Sequence, residues 1–123
     1  MKIRIKDNTV RFRLSRPEVE EFGKTGNIES RTEFSPMPFI YALKSSSASN
    51  ELSVTFQNNT ITLQVPESWV DDWLHSNRTG FEGKTIAENG KQIHLLLEKD
   101  FKCLDNTIED QVDNYENPLT IQL

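Results

Sequence analysis

Apolar and polar positions alternate strictly over residues 2–14. Ile3 and Ile5, then Val10, Phe12 and Leu14, are separated by Lys or Arg, with Asp7-Asn8 between the two runs. Alternation of this kind predicts two half-buried strands, and a two-residue Asp-Asn connection predicts a tight hairpin. The register then sets Ile5 opposite Val10, Ile3 opposite Phe12, Arg4 opposite Arg11 and Lys2 opposite Arg13. The pattern returns 51 residues later, where Asn58-Asn59-Thr60-Ile61-Thr62-Leu63-Gln64-Val65 repeats Asp7-Asn8-Thr9-Val10-Arg11-Phe12-Arg13-Leu14. Phe56 then meets Ile61, Val54 meets Leu63, and Thr55 faces Thr62.

Each hairpin is followed by a short helical pattern. Ser15-Arg16-Pro17-Glu18 is a capping box with Pro in the first turn, Val19 and Phe22 make an apolar stripe, and Gly23 or Gly26 can end the helix. In the second unit Pro66 opens a helix whose inner face is Trp69, Val70, Trp73 and Leu74. Val19 falls on Val70 and Phe22 on Trp73, so the repeat extends through the helices. Strands are expected next at 28–34 and 39–44, and again at 81–87 and 91–98, the last pair joined at Asn89-Gly90.

Together these elements predict an α+β domain built from a duplicated ββαββ unit with two short helices. Eight antiparallel strands can close into a barrel or form two packed sheets, and closure removes exposed edges. The domain is expected over 1–104, as repeats 1–44 and 51–104 around a serine-rich linker at 45–50. At 123 residues the chain is long enough for one core shared by both repeats.

Charge adds an asymmetry. The net charge is −5, yet the acids Asp105, Glu109, Asp110, Asp113 and Glu116 follow Cys103 without a single Lys or Arg. The stretch 105–123 reads as an acidic tail, either solvated or folded back over the basic first hairpin. On that hairpin Lys2, Arg4, Lys6, Arg11 and Arg13 share one face, and directly opposed like charges repel. Two readings stay open. Glu29 and Glu33, flanking Arg31 on the third strand, complete a salt-bridge ladder; or the face, with Arg31, takes an anion such as phosphate or carboxylate.

Other chemistry is sparse. His75 and His94 have no ligand-spaced partners, so no metal is expected, and no cofactor motif is present. Cys103 stands beside Lys102 but has no obvious base, and Glu98 with Asp100 reads as surface ion pairing around Lys99. Trp69 and Trp73 lie one helical turn apart and read as core. Nucleic acid is disfavoured by the acidic total, and a membrane by an apolar run no longer than Leu95-Leu96-Leu97. One cysteine and no signal segment point to the cytoplasm.

The opening Met1-Lys2-Ile3-Arg4-Ile5-Lys6, the Phe12-Arg13-Leu14 strand before Glu18-Val19 and Phe22, and Glu98-Lys99-Asp100-Phe101-Lys102-Cys103-Leu104 form a set. It resembles a family of short uncharacterised bacterial cytoplasmic proteins, which implies a standalone domain and no assigned activity. By architecture alone the doubled unit is similar to the triphosphate tunnel (CYTH-like) fold, which implies an eight-stranded barrel around polyphosphate. That fold's Glu-x-Glu-x-Lys strand is replaced here by Lys2-Ile3-Arg4-Ile5-Lys6. The expected function is therefore a small soluble binding or interaction module without catalysis, with an anionic small molecule or a protein as partner. The alternative is a binder or hydrolase of phosphorylated small molecules.

Overall fold

The computed structural model describes residues 1–100. Eight strands and two helices follow one another as β1 (Lys2–Lys6), β2 (Thr9–Leu14), α1 (Arg16–Thr25), β3 (Asn27–Thr32), β4 (Phe39–Ser46), β5 (Ser53–Gln57), β6 (Thr60–Pro66), α2 (Glu67–His75), β7 (Gly80–Ile86) and β8 (Gln92–Lys99). The stretch 105–123 and Cys103 lie outside the described residues.

No closed barrel forms. The strands make two four-stranded sheets, ordered β1-β2-β8-β7 and β3-β4-β6-β5. Both are mixed rather than antiparallel, because β2 runs parallel to β8 and β4 parallel to β6. Each sheet thus joins a hairpin from one half of the chain to a hairpin from the other. Renumbering β1–β4 as β5–β8, and the reverse, converts one strand order into the other. The sequence pattern identified the strands but not these parallel seams, since alternation along a strand carries no information about its neighbour's direction.

Both hairpins adopt the expected register. Ile3 pairs with Phe12 and Arg4 with Arg11 in the first, Val54 with Leu63 and Thr55 with Thr62 in the second. The turns use positive φ at Asp7 (51°), Asn58 (53°) and Asn59 (60°), which Asn and Asp tolerate better than other side chains. The Asn89-Gly90 connection is longer than a two-residue turn. Ala87 N–H donates to Lys91 O and Gly90 N–H to Ala87 O, leaving residues 87–91 between β7 and β8.

One core joins both sheets and both helices. Phe12, Leu14, Phe22, Leu43, Leu63, Val65, Trp73, Leu95 and Leu97 are fully buried, and the Phe12 ring meets Tyr41 of the facing sheet edge-on at 6.2 Å. α1 ends at Gly26, whose φ of 71° favours glycine and whose N–H donates to Phe22 O. α2 buries Val70 and Trp73, and the Trp73 indole donates to Thr79 O at 3.1 Å. Trp69 packs at the margin of the core, stacked on Phe81 at 4.9 Å.

The expected linker at 45–50 begins too early. Ser45 and Ser46 belong to β4, Ser45 N–H donates to Gly26 O, and Leu52, just before β5, is fully buried. A serine-rich composition concealed both the strand end and the core anchor. Gly80 also has a role that no pattern announced. A Cβ there would stand 1.9 Å from Leu97 O, so glycine is what lets β7 close onto β8 beside Glu98. No helix among the described residues is long and apolar enough to cross a membrane.

Candidate anion-binding face

The alternation that buries Val10, Phe12 and Leu14 necessarily turns Arg11 and Arg13 to the opposite side of the sheet. Lys2, Arg4 and Lys6 of β1 share that outward side by register. Five of the six candidate residues are therefore brought together on the outer face of the β1-β2-β8-β7 sheet. The sixth, Arg31, lies in the other sheet, where it pairs with Glu33 at 2.8 Å. Glu29 stands on the same β3 strand. Among the described residues no ion pair joins the basic hairpin to Glu29 or Glu33, so the expected ladder is not seen there.

The carboxylates come instead from β8. Parallel pairing sets Glu98 beside Arg13, and its Oε1 lies 3.4 Å from Arg13 Nε and 3.3 Å from Arg11 Nε. The Arg13 contact is a hydrogen bond. The Arg11 contact is an ion pair only, because the buried Arg11 Nε–H has no hydrogen-bond acceptor among the described residues. Asp100, just past β8, reaches Lys2 Nζ at 3.0 Å. Its own N–H donates to Leu14 O, so Asp100 itself lies directly beside the basic hairpin. Arg4 and Lys6 have no ion-pair partner among the described residues.

Those two side chains, with Asp7, Thr9, Arg11 and Leu96, line an open cleft of about 410 Å³. Leu96 is the middle of the apolar run Leu95-Leu96-Leu97. It points outward while its neighbours enter the core, and lies half-buried beside Arg11. His94 and Lys84 continue the cleft's far row across β8 and β7, through the Lys6–Thr9–His94–Lys84 alignment. Among the described residues two further acids flank this face: Asp7, which lines the cleft itself, and Glu82, two strands from Arg11. Chemically the cleft offers cationic donors around a short apolar floor, which suits a carboxylate or phosphate group carried on a larger molecule.

The core-facing positions of these strands are Ile3, Val10, Phe12, Leu95 and Leu97. Among the described residues no basic side chain is buried in the interior, so they do not form the inward arrangement that a polyphosphate tunnel requires. His75 is exposed and contacts Asp71 at 3.2 Å. Among the described residues no three His, Cys, Asp or Glu side chains converge as metal ligands.

A second polar contact lies at the start of β1. The Met1 ammonium is hydrogen-bonded to Glu18 Oε2, while Glu18 Oε1 accepts from Ser15 N–H at 2.8 Å. Burial pushes the Glu18 carboxyl up. The ammonium hydrogen bond, those from the Ser15 backbone and hydroxyl, and the ammonium's charge outweigh that effect and hold it below its ordinary 4.5.

Sequence reasoning named the basic side chains but missed Glu98 and Asp100 as their partners. The available signal was the unbroken Leu95-Leu96-Leu97 run, because a central strand paired on both edges departs from the clean alternation of a hairpin edge. Comparison with curated proteins and with solved structures gave no match. Across residues 1–119 the sequence matches the DUF7009 family, a family of unknown function, and the chain belongs to it.

Proposed function

We propose that this protein is a non-catalytic binding module whose ligand carries a carboxylate or phosphate group, held on the outer face of the β1-β2-β8-β7 sheet. The observation that carries this reading is the convergence of Arg4, Lys6 and Arg11 on one cleft, with Glu98 the single carboxylate shared by Arg11 and Arg13. Opposed Arg4 and Arg11 repel each other in the absence of an anion, and a bound phosphate or carboxylate relieves that cost. Arg supplies a planar fork for two parallel hydrogen bonds and Lys6 a point charge beside it.

The test is a binding titration with tripolyphosphate, citrate and nucleotides, followed by thermal shift and by amide chemical shifts. Stabilisation is expected at millimolar ligand or below, with the largest shifts at Lys6, Thr9 and Arg11. The paired substitutions Arg4→Thr and Arg11→Thr should remove both effects. Absence of any shift at millimolar ligand would retire the proposal, and turnover of any of these compounds would make the protein an enzyme instead.

We further infer that the chain arose by duplication of a ββαββ unit and works in the cytoplasm. The exchange of strand orders between the sheets and the identical hairpin registers support the first inference. The single cysteine supports the second.

A further inference from the structure

Asp100 is held at the edge of the basic hairpin by Lys2 Nζ and by Leu14 O. From there the row of Lys2 and Arg13 is separated from the row of Lys6 and Thr9 by four residues of strand, about 13 Å. Asp105 is five residues beyond Asp100, within about 17 Å at full extension. Glu109, Asp110, Asp113 and Glu116 follow, with no base among them. The sequence thus attaches a uniformly acidic stretch to the margin of its own basic face, by a tether short enough to keep its local concentration high.

We propose that the acidic stretch from Asp105 to Glu116 is an intramolecular ligand of the cleft lined by Arg4, Lys6 and Arg11, and competes there with external anions. This rests on the reading of that face as an anion site. Its carboxylates supply what Glu98 and Asp100 leave unprovided: acceptors for Arg4, Lys6 and the outer nitrogens of Arg11. An external ligand must displace the stretch, so its apparent affinity is set by the fraction of time the cleft stands open.

The full-length chain tests this. Cys103→Ser removes the native thiol, and Asn114→Cys then carries a nitroxide label without touching any acid. At low salt the label is expected to broaden the amides of Arg4, Lys6, Thr9 and Arg11, while Thr55 and Thr62 on the other sheet's outer face stay sharp. At ~1 M salt, where the screening length falls to about 3 Å, the broadening should fade. Converting Asp105, Asp110 and Asp113 to Asn, and Glu109 and Glu116 to Gln, should abolish it. The same variant should bind tripolyphosphate about tenfold more tightly if the stretch occupies the cleft about nine-tenths of the time.

Equal broadening on both faces, or none, overturns the proposal. If the amide variant and the wild type bind tripolyphosphate equally and no selective broadening is seen, the intramolecular ligand is rejected and the anion site stands. Selective, salt-sensitive broadening without tripolyphosphate binding keeps the intramolecular ligand and rejects the site's general affinity for anions.

Discussion

The β1–β2 and β5–β6 hairpins have the same turn length and the same register, and inward they present the same kind of side chain. Val10 and Phe12 correspond to Ile61 and Leu63, all four buried, while Ile5 and Phe56 correspond at the hairpin ends and are both exposed. Outward they part. Arg4 opposite Arg11 becomes Thr55 opposite Thr62, and Lys2 opposite Arg13 becomes Ser53 opposite Gln64. The neutral Ser53 and Gln64 satisfy one another at 2.9 Å, whereas the charged pairs meet Glu98 of a third strand and Asp100 just past its end. Packing fixes the buried positions of both hairpins because a one-residue slip would turn Val10, Phe12, Ile61 and Leu63 to water. The outer positions are under no such constraint, so a difference there is where a specific role can be written.

The comparison breaks most readily at its inner positions. Phe12 and Leu63 are both fully buried, and truncating either leaves a cavity in the shared core. Phe12→Ala should cost about 3–5 kcal/mol and Leu63→Ala about 2–5 kcal/mol, read from urea unfolding. Losses of similar size in a single cooperative transition mean that the halves fold as one unit. Two separate transitions, or a loss under about 1 kcal/mol at either site, would dissolve the equivalence.

Glu98→Gln tests the charged hairpin's dependence on its third strand. The pair is partly exposed, with Arg13 at 34% and Glu98 at 25%, so solvent screening reduces its worth. A loss of about 1 kcal/mol is expected, smaller at high salt. The counterpart of Glu98 beside β6 is Lys44, paired with Gln64 and exposed. Lys44→Gln should change stability by less than about 0.5 kcal/mol. A larger effect there than at Glu98 would mean the outer faces are not distinguished by their electrostatics.

Making the first hairpin resemble the second has the opposite sign. Replacing Arg4 and Arg11 with Thr removes directly opposed like charges and introduces the Thr–Thr pair already present at Thr55 and Thr62. A gain of about 0.2–1 kcal/mol is expected, accompanied by loss of anion binding. Stability gained where binding is lost identifies a face kept for use rather than for folding. Destabilisation would mean that the arginine stems over Leu96 contribute more through packing than their charges cost.

How much of this was legible follows from which forces act locally. Hairpin registers, helix positions and the apolar stripes through Val19, Phe22, Val70 and Trp73 all emerged from spacing alone, because neighbours along the chain decide them. Alternation placed Arg11 and Arg13 on the face opposite Val10 and Phe12 but left open which of the two faces is the core; that was decided by the packing of the two sheets against each other. Glu98 as their partner was not legible, since 85 residues separate Arg13 from Glu98 and only the parallel seam joins them. Arg31 was misgrouped for the same reason: nothing in its local sequence records that β3 joins the other sheet. Leu52 was overlooked because a single apolar residue behind a serine run has no period to reveal it.

The helices offer the smallest test of the comparison. Glu18 in α1 and Trp69 in α2 are offset by the same 51 residues as the hairpins, one holding the Met1 ammonium and the Ser15 N–H, the other stacked on Phe81. Glu18→Gln keeps an acceptor for Ser15 N–H but deletes the charge that meets the ammonium. With its folded pKa held below 4.5, the carboxylate contributes stability fully above the unfolded value, and that contribution fades as pH falls through the folded value. The wild type should therefore be the more stable at neutral pH, and the two should converge in acid. Urea midpoints between pH 7 and pH 3 read this directly, since the variant lacks the carboxylate whose protonation erodes the wild type. A gap that instead widens toward acid would require Glu18 to be stabilised in its protonated form, reversing the role assigned to the Met1 ammonium. At Trp69 no charge is involved, so Trp69→Phe should change stability by the same amount at both pH values.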